Sequence, residues 1–261
     1  MAPSSSSAGP VRAFLELRAG DPEQHAQLQG QYDATVAHLK RVGASYGWDA
    51  NTNPEDLDEE AREILVGSDP NLGPSFLFTP PEPLSLGRLT LLINPSPNLK
   101  KTRENFIALL TGSKGVSKSD RSKKLHYGDG CPVHRIETGF VMQSGDVTRG
   151  DGSGGEAALG GTIKAEAEGL VITPKYGSLC MASGARKDSI TSQFFIVLAT
   201  EASQLSKLGP KKYVCFGDVL LDKDDAAGAE GAAVLQRVER YGSANGTPTE
   251  RVWIEASGLL D

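Results

Sequence analysis

The chain has little of what several common functions need. Among its 261 residues are 3 cysteines, 4 histidines and 2 tryptophans, and aromatic residues make up 6%. Cys131, Cys180 and Cys215 are odd in number and show no CxxC or Cys/His spacing, which argues for reduced thiols and against a disulfide framework or a structural zinc. His25, His38, His126 and His134 form no HExxH or comparable pattern, so no metal is expected. The longest apolar stretch, at the end of SQFFIVLA, is far shorter than the roughly 18 residues of a membrane-spanning helix. The opening MAPSSSSAGP has neither the basic start and apolar run of a secretory signal nor the arginines of a transit peptide, and a cytoplasmic or nuclear location is expected. An excess of positive charge is also missing: 27 Lys+Arg against 33 Asp+Glu give a net charge of −6, unsuited to a general nucleic-acid coat. At 38% hydrophobic and 23% charged, the chain has enough apolar material to fold.

Residues 1–10 read as a flexible tail. In VRAFLELR, Val11, Ala13, Leu15 and Leu17 alternate with Arg12, Phe14, Glu16 and Arg18, the period of a half-buried strand. Asp21-Pro22-Glu23 then starts a helix whose Leu28, Tyr32, Val36 and Leu39 share one face, closed by Gly43. Asn53-Pro54-Glu55 starts a second, with Leu57, Ala61, Ile64 and Leu65 as its apolar stripe and Gly67 as its stop. Residues 21–66 thus read as a helical hairpin, either a docking arm or, more plainly, a helical pair packed on the main domain. Strand-like texture returns with LGRLTLLIN at 86–94, followed by a helix at 98–110 stopped by Gly112. The loop at 113–127 carries Lys114, Lys118, Arg121, Lys123 and Lys124; it could attract an acidic partner, although solvated charge is the plainer reading. Short, glycine-separated strands from Val133 to Val219 suggest a closed antiparallel barrel. A helix at 232–241 and the strand RVWIEAS complete the pattern.

Familiar catalytic schemes do not fit. No GxSxG elbow exists, because the relevant stretch reads Met142-Gln143-Ser144-Gly145-Asp146. The glycine-rich GDGSGG at 150–155 lacks the GK[ST] and strand-to-helix context of a phosphate loop. What remains is one cation among apolar, aromatic and amide side chains: Arg135, Phe140, Val141, Gln143, Gln193 and Phe195. Such a set suits a reaction without a nucleophile or metal, and rotation about an X-Pro amide is one. Its barrier of roughly 18–20 kcal/mol comes from resonance that the twisted state loses. An apolar pocket can hold the proline ring while a guanidinium donates to the nitrogen lone pair as it localises.

At these residues the sequence closely resembles the cyclophilin family of peptidyl-prolyl isomerases, through ENFIALLTG, HRIETGFVMQSGDVTRGDGSGG, GSLCMAS, TSQFFIVLA, YVCFGDV and VERYGSANGTP in family order. The resemblance implies a mainly β fold: a closed eight-stranded antiparallel barrel capped by helices at 98–111 and 232–241. It implies an isomerase that needs no cofactor, acts on proline-containing peptides and proteins, and works as a monomer. VRAFLELRAG matches the family's first strand and LGRLTLLIN its second, so one domain spans 11–261 with a helical insertion at 21–82. Arg135 falls on the catalytic arginine, Gln143 on the glutamine that orients it, and Phe140, Val141, Phe195 and Leu205 on the proline pocket, with Val141 in place of the usual methionine. Ser183 and Gly184 fall where the substrate backbone pairs, and Gly152 and Gln193 match as well. Tyr213 stands in place of the common pocket histidine, and Gln204 or a neighbour in place of the tryptophan that contacts cyclosporin. Weak cyclosporin binding is therefore expected. The loop at 185–191 departs from the family pattern. The basic loop resembles a divergent-loop class, but the places of that class's cysteine pair are Leu110 and Ser257, so redox control through it is not expected. The alternative to an enzyme is a low-activity module that binds proline-containing peptides and docks through the insertion.

Overall fold

Alternation along Val11–Ala19 produces strand β1, with Ala13, Leu15, Leu17 and Ala19 buried. It pairs on one side with β2 (Ser85–Ile93), in register from Val11 opposite Ile93 to Arg18 opposite Ser85. In this computed structural model, which describes residues 9–69, 75–183, 189–209 and 211–261, the remaining strands are β3 (Cys131–Pro132), β4 (Arg135–Glu137), β5 (Val141–Ser144), β6 (Ser178–Met181), β7 (Phe194–Val197), β8 (Val214–Val219) and β9 (Val252–Leu259). They form one antiparallel sheet in the order β3-β9-β1-β2-β8-β6-β7-β5-β4. The two ends of that order, β3 and β4, are separated in the chain only by Val133 and His134. So short a link forces the sheet to curl. The strand count is therefore nine among the described residues, where eight were expected, because Cys131–Pro132 forms its own short ladder with β9.

The helices are α1 (Pro22–Val42), α2 (Glu59–Ser68), α3 (Lys100–Thr111), α4 (Ala167–Val171), α5 (Ala202–Leu208) and α6 (Ala226–Glu239). Asp21 caps α1 by accepting from the amides of Glu23 and Gln24. Asp58, which the sequence pattern does not single out, caps α2 by accepting from Ala61, and Gly67 lies inside that helix instead of ending it. α3 ends on Gly112 at φ +62°, a left-handed cap that glycine adopts without strain. α6 begins at Ala226, six residues before the sequence expectation, with Asp225 accepting from the amides of Ala227 and Gly228. Gly228 and Gly231, buried within α6, permit close packing. A Cβ at Gly228 would lie 2.1 Å from the Asp222 carbonyl oxygen, and one at Gly231 would lie 2.6 Å from that of Leu220.

Contacts divide the chain into two compact units, one made of the described residues up to Ala19 with Ser85–Asp261, the other Gly20–Leu84. The second has its own small core of Leu39, Leu57 and Leu65 with Trp48, Phe76 and Phe78 against it. The first is centred on Phe106 of α3, whose ring meets Phe216 at 4.8 Å, Phe194 at 5.2 Å and Tyr127 at 5.4 Å between centroids. Positions 110 and 257, which the resemblance singles out, are brought together: the Ser257 hydroxyl donates to the Leu110 carbonyl at 2.8 Å. All three cysteines are free and buried. Among the described residues, no helix is long and apolar enough to cross a membrane. Replacing Phe106 with alanine empties the centre of the aromatic cluster, and a loss of about 3–5 kcal/mol is expected in urea unfolding. A loss below about 1 kcal/mol would show that the cluster does not anchor α3.

Candidate functional site

Register builds the site. In an antiparallel sheet, directly opposed residues point to the same face. Arg135 of β4 is opposite Gln143 of β5, Gln143 is opposite Phe195 of β7, Phe195 is opposite Cys180 of β6, and Cys180 is opposite Cys215 of β8. One transverse row across five strands therefore carries the cation, an amide and an aromatic ring on one face, with two buried thiols beyond them. Val141 and Val197 form the neighbouring row. Above this face lies a cleft of about 170 Å³ lined by Arg135, Phe140, Val141, Gln143, Ala182, Ser183, Phe195, Leu208 and Tyr213. Tyr213 meets Phe195 edge-on at 4.9 Å.

Leu205 packs against this apolar cluster but does not line the cleft. Leu208, one helical turn further along α5, does line it, and no sequence pattern singled it out. Gly152 and Gln193 line an adjoining cavity of about 320 Å³, together with Ser153, Gly154, Ser189 and Thr191. Gln143, Ala182 and Ser183 border both spaces. Gly184 and residues 185–188 lie outside the described residues.

Gln143 sits opposite Arg135, yet its amide donates to Gln193 at 2.8 Å. The guanidinium is held instead by Glu137, two residues along β4, at 2.5 Å. From the other side Gly246 approaches so closely that a Cβ there would lie 3.0 Å from Arg135 Cγ and 3.1 Å from Nε. Glu137 and Gly246 are functional candidates that sequence reasoning missed; an acid two residues from an arginine in a strand was the available signal for the first.

The polar side of the site hangs on the turn after β5. Asp146 accepts from the amides of Thr148, Arg149, Gly152 and Gly154 and from the Thr148 hydroxyl. Burial alone would raise its pKa, but these hydrogen bonds override burial and bring it down to about 2. The carbonyls of Gly152 and Gly154, fixed by this turn, accept from the Gln193 amide at 2.9 and 2.7 Å. Gly152, at φ +88°, passes over the His134 ring so closely that a Cβ would come within 2.6 Å of Cδ2. Burial lowers the His134 pKa, against the pull of Asp146 and Asp151. Its two ring nitrogens are buried with no hydrogen-bond partner among the described residues.

This arrangement can grip an apolar ring and present a fixed cationic donor at its edge. The family model for cyclophilin type peptidyl-prolyl cis-trans isomerase/CLD matches residues 84–258. The chain belongs to this cyclophilin family. It is 37% identical, over 160 residues, to the peptidyl-prolyl cis-trans isomerase CYP21-1 of Arabidopsis thaliana, an alignment covering 61% of this chain and 63% of that relative. β1 lies before the part that the cyclophilin family model matches. Among the described residues, no group of three or more potential metal ligands occurs in this cyclophilin.

A carboxyl that is more acidic folded than unfolded stabilises the fold above its unfolded pKa and loses that contribution as pH falls towards its folded value. Asp146→Asn is therefore expected to cost about 2 kcal/mol at neutral pH, on the scale of hydrogen bonds to a charged group. Urea unfolding at several pH values should show the gap to the wild-type protein narrowing as pH falls from about 4, the ordinary aspartate value, to about 2. A constant gap would contradict the assignment.

Proposed function

We propose that the chain is a peptidyl-prolyl cis-trans isomerase, acting on X-Pro bonds of proline-containing peptides and proteins. The observation that carries this reading is the single row placing the Arg135 guanidinium at the edge of an apolar cleft. The proline ring would enter between Phe140, Val141, Phe195, Leu208 and Tyr213. As the amide twists, its nitrogen becomes pyramidal and gains a localised lone pair. Arg135 would donate to that lone pair, an interaction absent from the planar ground state and so one that lowers the barrier. Gln143, Ser183 and Gly184 would pair with the substrate backbone, while Gly152 and Gln193 hold Gln143 in place. Leu205 would steady α5 behind the pocket. The adjoining cavity borders the cleft through Gln143 and Ser183 and is lined by small, hydroxyl and amide groups, which suits an uncharged residue near the proline. We read the curled sheet as a closed barrel whose ends the chain itself joins through Val133 and His134. A monomer in the cytoplasm or nucleus, needing no cofactor and binding cyclosporin weakly for want of the tryptophan, accords with this reading.

Glu137 would act as a positioning residue. It occupies one edge of the guanidinium and leaves donors on the others free, so rotamer freedom is given up before substrate arrives. The same ion pair supports the second reading, a low-activity proline-binding module, if it withholds Arg135 from substrate. Exchange NMR on an Ala-Pro peptide decides between them. For the enzyme, Arg135→Ala should reduce catalysed exchange by about 10²–10³, the scale of losing a transition-state donor. Exchange that does not depend on Arg135 would leave only binding. In the same assay, Glu137→Ala should lower kcat about fivefold, or about 1 kcal/mol, with KM nearly constant and Glu137→Gln restoring most of it. A rise in kcat on removing Glu137 would reverse its role.

A further inference from the structure

A cavity of about 450 Å³ lies apart from the proline cleft. It lies between the end of the basic loop and the Asp146 turn, lined by Ser122, Lys123, Lys124 and His126 on one side and by Thr148, Arg149 and Gly150 on the other. Of the five cations in the basic loop, only Lys123 and Lys124 line it.

The lining also includes the carboxylates of Asp129 and Asp146, and these are already occupied. Asp129 is paired with Lys124 at 2.9 Å and faces His126 at 3.3 Å. Asp146 is saturated by the amides of its own turn. Asp120, whose charge reaches Lys123, accepts the amide and hydroxyl of Ser122 at 3.0 and 2.6 Å. Lys123 and Arg149 have no ion-pair partner among the described residues, and the Arg149 guanidinium meets only the Ser153 hydroxyl at 3.3 Å. Two cations without an ion-pair partner thus border one open cavity in a chain whose net charge is −6. That combination repels an extended polyanion and attracts a compact one. A guanidinium's planar fork together with an ammonium suits the oxygens of a phosphate group.

We infer that this cavity is a binding site for a phosphate monoester, borne by a phosphorylated side chain or by a small molecule. The site goes beyond the isomerase reading and does not depend on it. It shares the Asp146 turn with the proline cleft, because Arg149 borders the cavity while Gly152 and Gly154 of the same turn hold Gln193.

The test is an NMR titration of the full chain at constant ionic strength, with inorganic phosphate, with a proline-free phosphoserine peptide, and with the same peptide unphosphorylated. Saturable shifts of amides in 122–131 and 146–150 are expected for the two phosphate probes, with affinity at least tenfold weaker for the unphosphorylated peptide. Lys123→Ala combined with Arg149→Ala should weaken phosphate binding at least tenfold; both side chains are exposed, so the core is not disturbed. Lys223→Ala, on an exposed lysine outside the cavity, should change nothing. Tighter binding of the phosphopeptide would assign the ligand to a phosphorylated protein, and equal binding to a small phosphate. Non-saturating shifts, or shifts that persist in the double variant, would overturn the site. Because the probes lack proline, Arg135→Ala should bind them normally, which separates a failure here from a failure of the isomerase reading.

Discussion

One buried carboxylate organises the polar half of the site. Asp146 gathers four backbone amides and a hydroxyl from the ten residues that follow β5, converting a glycine-rich stretch into a single defined turn. Glycines at 152 and 154 are needed because the chain must pass close to the His134 ring and to Asp146 itself; a Cβ at Gly154 would stand 2.7 Å from an Asp146 oxygen. Once the turn is fixed, its carbonyls fix Gln193, and Gln193 fixes Gln143. The links converge on Asp146 and Gln193, both buried, so the network has little freedom to rearrange.

The apolar half follows a different rule. Its members need no hydrogen bonds, only strand register, because a one-residue slip would exchange the side chains of the two faces. Alternation within β5 and β7 sends Met142 and Ile196 to the main core and Val141, Phe195 and Val197 to the cleft face. Phe140, at the mouth, has the Arg135 guanidinium and the Lys207 ammonium each 5.8 Å from its ring centre. Two cations near one ring orient it while remaining in contact with water. A rigid apolar floor beside a single oriented cation suits a reaction whose only electronic change is the appearance of a lone pair.

How much of this was legible in the sequence depended on range. Features decided within a few residues were visible: the alternation of β1, the Asp21-Pro22 start of α1 and the Gly112 stop of α3. Glycines defeated the reading where their role was tertiary. Gly67 looked like a stop and is helical, while Gly228 and Gly231 lie within α6 ahead of its expected start, because close approach to Asp222 and Leu220 cannot be seen locally. The short helices α4 and α5 carry no full apolar period, so Leu208 was not visible as a cleft residue beside Leu205. The site residues were recognisable as a set through family resemblance, but the row that joins Arg135 to Cys215 spans five strands from distant segments, and no local pattern encodes it. Glu137 belongs to the same class of feature, since its importance appears only when its carboxylate is found on the guanidinium.

The insertion between β1 and β2 raises the question of why 65 residues, Gly20–Leu84, can replace a hairpin turn. Loop-closure entropy grows only as the logarithm of length, so lengthening a connection from about five to about sixty residues costs about 2 kcal/mol. The β1–β2 ladder runs from Val11 to Arg18 with one bulge near its end, and β1 is paired with β9 on its other side, so its position does not depend on the connection to β2. The inserted segment also buries Leu39, Leu57 and Leu65 in a core of its own, which offsets the ordering of its backbone locally. The strands that carry the cleft, β4 to β8, are built from chain that follows the insertion, and their register is set by one another. An addition at this point can therefore vary in sequence and length without moving Arg135 relative to Phe195, because the pairings that place those two residues involve only β4, β5 and β7.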